Sequence, residues 1–210
     1  MIKNVFLDFN GTILDDLDLC IDLLNRMLND QNKPLIPKNV YKEIFTFPII
    51  DYYTKAGLDF EIESFPSLAH KFMNRYIYDY KKCNLIKGVK PTLKFLRDMG
   101  CKTYILSASK QNILNEQCLF FGLTRYFDNI IGINDIYASS KEEIFINFIK
   151  ENNINVNESI FVGDTLHDYE VAKKANMRCI LVKSGHQSEN VLKTSGVKII
   201  DDINNLRDEF

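Results

Sequence analysis

From residue 84 onward the chain alternates short apolar runs with stretches of helical spacing, and this alternation constrains the fold more than any other feature. Pro91 sits in the first turn of a predicted helix over 90–99 that stops at Gly100. Apolar, β-prone runs follow at 102–106, 129–133, 158–162, 178–183 and 197–200, with helical spacing between them at 110–121, 140–151, 166–175 and 188–193. Strands separated by helices need crossover connections, so the expected core is a parallel sheet with helices on both faces. A further strand, Val5-Phe6-Leu7, opens the chain. After it the period changes: Leu17, Cys20, Leu23, Leu24, Met27 and Leu28 recur at helical spacing through 16–30. Two prolines break the pattern at 31–37, and helices are expected at 38–46, 49–56 (closed by Gly57) and 65–82. The organisation expected is a core of residues 1–14 and 84–210, interrupted by an all-helical insertion at 15–83. The insertion leaves and re-enters beside the end of the first strand, where open α/β sheets bind ligands, so it is placed to act as a lid.

The 210 residues suffice for one domain and a smaller insertion. A net charge of −2 offers no electrostatic case for a nucleic acid or anionic membrane partner. No apolar run approaches the roughly 20 residues of a membrane span. The first strand begins almost at once and leaves no room for a signal peptide. Cys20, Cys83, Cys101, Cys118 and Cys179 are odd in number, scattered and without a Cys-x-x-Cys pair. They read as buried free thiols in a reducing cytoplasm, the expected location.

Four places bring polar residues to the end of an apolar run or the start of a helix: Asp8, Ser107, Lys141, and Asp164 with Asp168. In a parallel sheet these ends converge on one crevice. Asp8, in Asp8-Phe9-Asn10-Gly11-Thr12, either caps a turn or acts as a nucleophile and metal ligand. Asp164 and Asp168 lie in Gly163-Asp164-Thr165-Leu166-His167-Asp168 and can face one way, the second on the opening turn of a helix. Asp164 reads equally as a helix N-cap. Together with Asp8 they would repel one another unless a cation sat between them, and Mg²⁺ suits oxygen ligands and phosphate substrates. Ser107, with the free backbone N–H groups beside it at Ala108, reads as a phosphate seat or, with Ser109, as a helix cap. Lys141 opposes the helix dipole at its own N-terminus, so it reads as a neutraliser of the acids or as a surface lysine, with Lys110 a weaker rival. His70, His167 and His186 share no metal-ligand spacing.

No single motif is specific, but the ordered set resembles the four signatures of the haloacid dehalogenase-like hydrolase superfamily. Lys87-Gly88-Val89 and Phe121-Gly122-Leu123-Thr124-Arg125-Tyr126-Phe127-Asp128 extend the likeness over the whole chain. The helical insertion is similar to the caps of the phosphoglycolate-phosphatase-like branch. The resemblance implies a Rossmann-like core with a helical cap and a Mg²⁺-dependent phosphatase that works through an aspartyl-phosphate on Asp8. It implies Asp8, the backbone carbonyl of Asn10, and Asp164 as metal ligands, with Asp168 supporting them. Ser107, Ala108 and Lys141 would hold the phosphate of a small phosphorylated substrate, in a monomer or homodimer. One position departs from the pattern: Asn10 stands where the family has a second Asp that protonates the leaving group and then activates water. General acid–base catalysis contributes roughly 10²–10⁴-fold, so a slowed enzyme is expected, and Asn10→Asp should speed it by about tenfold or more. The alternatives are a silent phosphometabolite-binding or regulatory protein, or a phosphonatase-like hydrolase using one of the insertion lysines (Lys33, Lys38, Lys42, Lys55 or Lys71) as a Schiff base. Dehalogenases of this superfamily lack the paired acids of the fourth signature, which counts against dehalogenation here.

Overall fold

The computed structural model describes residues 1–133 and 141–210. After β1 (Asn4–Leu7) come a two-residue strand β2 (Leu14–Asp15) and four helices. These are α1 (Leu17–Asp30), α2 (Lys38–Ile44), α3 (Ile49–Ala56) and α4 (Phe65–Asp79), and a second short strand, β3 (Asn84–Leu85), follows. The rest alternates as α5 (Val89–Asp98), β4 (Lys102–Lys110), α6 (Gln111–Phe120), β5 (Asn129–Ile133) and α7 (Lys141–Glu151). It continues through β6 (Ser159–Gly163), α8 (Leu166–Lys174), β7 (Arg178–Val182), α9 (Glu189–Lys193) and β8 (Lys198–Ile200).

Six strands form a parallel sheet in the order β5-β4-β1-β6-β7-β8. The fold is the expected α/β class with a Rossmann-like sheet. Because side chains alternate along a strand, β1 feeds two cores. Val5 and Leu7 pack with Leu93, Leu96 and Leu114 of α5 and α6 on one face. Phe6 packs with Phe145 and Val171 of α7 and α8 on the other, its ring 4.9 Å from that of Phe145. Burial on both faces explains why the strands read as continuous apolar runs. The strand order reverses at β1, so the ends of β1, β4 and β6 open on one crevice.

The four helices between β2 and β3 enclose their own apolar cluster, including Leu24, Leu28, Tyr41, Tyr53 and Leu68. β2 and β3 pair antiparallel, Leu14 with Leu85 and Asp15 with Asn84, where the chain leaves and re-enters the sheet domain. Two-residue strands carry no period, so sequence patterning does not reveal them. Three other features differ from expectation. β4 runs on to Lys110, through a register shift after Leu106. It does so beside Gly132, where a Cβ would lie 2.7 Å from the Ser109 carbonyl oxygen. The third long helix ends at Asp79 and tightens into a 3-10 turn at Tyr80–Lys82. A 3-10 stretch at Ile203–Glu209 buries Ile203 and Leu206. Position 140 of the expected 140–151 helix lies outside the described residues. Among the described residues no helix is long and apolar enough to cross a membrane.

Candidate active site

Asp8 follows β1 directly, and its N–H donates to the Val162 carbonyl of β6 at 2.8 Å. The chain then doubles back, with Ile13 N–H on the Phe9 carbonyl and Gly11 N–H on that of Leu14. Gly11 is required twice over: its φ is +74°, and a Cβ there would lie 2.4 Å from Asp164 Oδ2. The turn therefore closes onto the end of β6, and Thr12 Oγ1 donates to Asp164 Oδ1 at 3.2 Å.

Lys141, at the start of α7, reaches this point from the far side. Its Nζ lies 2.5 Å from Asp8 Oδ1 and 2.7 Å from Asp168 Oδ1. It is only 2% exposed, so it is not a surface lysine. Asp168 Oδ2 accepts from Asp164 N–H, Thr165 N–H and Thr165 Oγ1. Thr165, not Asp164, is the N-cap of α8, in a capping box with Asp168. Asp164 is thereby free of the capping role and faces the crevice. Asp8, Asp164 and Asp168 each offer a carboxylate oxygen, all within 4.8 Å of one another.

Burial raises the Asp8 carboxyl well above its ordinary range, the Lys141 charge offsets part of this, and Asp168 and Asp164 add to it. Burial likewise raises Asp164, to about 6, with the His186 charge opposing. Burial also works against ionised Asp168, but Lys141 outweighs it and holds that carboxyl below its usual range. For Lys141 burial is outweighed by Asp168 and Asp8, so the ammonium is held charged. Three buried acids thus face one buried lysine. Such an oxygen-only, net negative set fits a hard divalent cation such as Mg²⁺.

Ser107 is fully buried, and its Oγ accepts from Ser109 N–H at 3.0 Å. Neither serine caps α6, whose N-cap is Lys110 without a side-chain bond. Ser107 and Ala108 line the same cavity as Asp8, Asn10, Lys141, Asp164 and Asp168, so every residue singled out for the site converges there. Lys110 also borders the cavity but is exposed. His167 does not border it; its ring stacks on Phe47 with centroids 4.6 Å apart.

Residues 5–182 match the haloacid dehalogenase-like hydrolase family. The chain belongs to that family. A phosphoglycolate phosphatase of Pseudomonas fluorescens is 25% identical over 210 residues, 96% of this chain and 77% of the relative. A predicted phosphatase of Clostridium acetobutylicum has the same fold, with a TM-score of 0.82 and 20% identity over 100% of this chain and 98% of its own. A haloacid dehalogenase-like hydrolase of Streptococcus pneumoniae gives 0.80 and 16% over 100% and 98%. Within the family the chain stands in the phosphoglycolate-phosphatase-like branch, as a phosphatase.

This haloacid dehalogenase-like hydrolase surrounds position 10 with groups that sequence reasoning missed. Asn10 Nδ2 lies 2.7 Å from Asp16 Oδ2 and 2.6 Å from the Tyr76 hydroxyl, and Asn10 Oδ1 accepts from Ser109 Oγ at 3.0 Å. Asp16 is buried just before α1. It also accepts from Tyr76 OH (2.7 Å), from Gly11 N–H (3.2 Å) and from Cys20 Sγ (3.6 Å), and it faces His186 Nε2 at 3.2 Å. His186 Nδ1 in turn faces Tyr41 OH at 3.0 Å. Burial opposes the Asp16 charge, but the His186 charge and the bonds from His186, Tyr76 and Asn10 hold its carboxyl below the usual range. For His186 burial is outweighed by Asp16, and its pKa is raised. Asp16 reads in sequence as a helix start, Tyr76 as one of many tyrosines and His186 as isolated. The only signal was an extra acid, Asp16, beside Asp15 and six residues past Asn10.

Proposed function

We propose that this phosphatase is a Mg²⁺-dependent phosphate-monoester hydrolase that acts on a small phosphorylated metabolite in the cytoplasm, with Asp8 as nucleophile. The observation that carries the reading is the Lys141 bridge from Asp8 to Asp168, beside Asp164 at the strand ends. Residues 1–14 and 84–210 form the catalytic core, and residues 15–83 serve as the cap that bounds the substrate.

Asp8 attacks phosphorus and takes the phosphoryl group, and water then releases it as phosphate. Lys141 holds Asp8 in place and presents positive charge to the phosphoryl oxygens; Ser107 and the Ala108 N–H complete the phosphate seat. Asp8, the Asn10 carbonyl and Asp164 would hold Mg²⁺, with Asp168 behind them. When bound, the ion supplies charge neutralisation for the phosphoryl group and the acids. Asp168 spends Oδ2 on the 163–165 turn, so its part is to hold Lys141 and that turn. No lysine of residues 15–83 lines the cavity among the described residues, which counts against the Schiff-base alternative.

The test is phosphate release with and without Mg²⁺. Release should require the ion and vanish in Asp8→Ala; activity that survives in Asp8→Ala overturns the mechanism. The second reading, favoured by Asn10 alone, is a protein that binds phosphometabolites without turning them over. Saturable binding with no release across a substrate panel would establish it instead.

A further inference from the structure

The cavity over Asp8 carries two independent marks of its substrate. The first is its wall. The part supplied by the helical insertion is aromatic and aliphatic, with Phe45, Tyr52, Tyr53, Phe72 and Met73 prominent. Among the described residues the insertion contributes no lysine, arginine or histidine to this wall, and its one charged group there is the acid Asp16. The cations that line it all come from the sheet domain. Lys141 is bound by Asp8 and Asp168, and His186 lies between Asp16 and Tyr41. Lys110 is exposed. A leaving group bearing a carboxylate would be desolvated against rings and next to Asp16, an unfavourable exchange for its hydration. The space is about 180 Å³. A dry apolar cavity of roughly 150 Å³ already accepts a benzene ring.

The second mark is the missing proton donor. Asn10 cannot protonate a leaving oxygen, and its neighbours do not take over. Tyr76 spends its O–H on Asp16, the Asp16 oxygens are met by donors from Asn10 and Gly11 as well, and both His186 nitrogens are occupied. A site without a general acid acts fastest on a leaving group that departs as a stable anion. Phenols, which ionise near ~10 as tyrosine does, are such groups, whereas alkyl alcohols are far weaker acids.

We infer that the substrate is a monoester of phosphate with an aromatic alcohol, its ring seated among the insertion's aromatic side chains. This rests on the phosphatase reading above. An Asp8 oxygen bonds to phosphorus, and the P–O bond to the ring oxygen breaks with its electron pair on that oxygen. Water then attacks phosphorus of the aspartyl-phosphate, and the Asp8 O–P bond breaks with its electron pair on the carboxylate, returning Asp8 and releasing phosphate. The proton which that water sheds is taken up, through solvent, by the phenolate, so the sum is aryl phosphate plus water giving phenol plus phosphate. The Asp16 carboxyl is already met by five groups and has no free oxygen with which to draw a proton from water, so the second step is the slow one. A stoichiometric burst of phenol therefore precedes steady turnover.

The experiment compares phenyl phosphate, 2-phosphoglycolate and acetyl phosphate on the whole chain with Mg²⁺. Acetyl phosphate is activated but has no ring, and so reports the phosphoryl chemistry alone. The expected result is hydrolysis of acetyl phosphate, kcat/KM for phenyl phosphate at least tenfold above that for phosphoglycolate, and a phenol burst of about one per site. Across ring-substituted phenyl phosphates kcat/KM should rise steeply with phenol acidity while kcat stays nearly level. Equal or better use of phosphoglycolate, with acetyl phosphate hydrolysed, overturns the inference and leaves the phosphatase standing. No release from any of the three overturns both.

Discussion

Asp16 accounts for Asn10. An Asp at position 10 would set a carboxylate oxygen about where Asn10 Nδ2 now lies, 2.7 Å from Asp16 Oδ2, inside a buried site. Like charges so close cannot both ionise. The tenfold gain that sequence alone leads one to expect from Asn10→Asp is therefore withdrawn. The single variant should lose about 2 kcal/mol of stability, the scale of a lost charge-assisted hydrogen bond, and gain no rate. Asn10→Asp combined with Asp16→Asn should recover the stability and release phosphate faster than the parent; denaturation midpoints and phosphate assays on the three proteins check this. The Asp16–His186 pair also has a pH signature. The depressed Asp16 pKa makes its contribution present above the unfolded value of about 4, and lost as pH falls through the folded one. The raised His186 pKa makes its contribution present below about 6.5, and lost as pH rises through the folded value. The pair therefore stabilises most between about pH 4 and 6.5. The Tm difference between the parent and His186→Gln, measured without metal, should be larger at pH 6 than at pH 9; a flat difference would contradict the pairing.

Among the elements, α8 shows how a helix end becomes part of a site. Its capping box uses Asp168, and the same carboxylate holds Lys141 through its other oxygen. Thr165→Val removes the cap acceptor and one donor to Asp168 and should cost about 1 kcal/mol. It should also slow phosphate release, because Lys141 is then less firmly aimed at Asp8; urea unfolding and a rate assay on one preparation read both effects. The strand before it is visible in sequence as Ser159-Ile160-Phe161-Val162, but the cap is not: the sequence offers Asp164 for it, and Thr165 takes the place. β2 and β3 are not visible, since two residues define no period and their pairing spans about 70 positions.

In the whole molecule, the helical insertion is fastened to the sheet domain by the loop after β7. Gln187 Nε2 donates to the Phe45 carbonyl at 2.8 Å, Ser188 N–H to that of Lys42 at 2.9 Å, and Lys42 Nζ to that of Lys183 at 2.9 Å. Gln187 Oε1 accepts from Leu166 N–H, so one side chain ties α8 to the end of α2. Gln187→Ala should loosen the insertion without melting the sheet: hydrogen exchange across 38–56 should quicken while β1, β4 and β6 keep their protection. Uniform loss of protection would show that the two layers unfold as one. The sheet, the order of its helices and the corners Asp8, Ser107, Lys141 and Asp164 were legible in the chain, because period and strand-end placement are local properties. The cluster around Asn10 was not. Asp16, Tyr76 and His186 stand 60 to 170 residues apart, and only the packing of α1, α4 and the loop after β7 makes them neighbours. Local pattern thus determined the fold, and the class of chemistry followed from the resemblance of the ordered motifs to a known family. Tertiary contact alone decided which groups surround position 10 and why an amide suits it, because a side chain's charge state depends on what folding buries beside it.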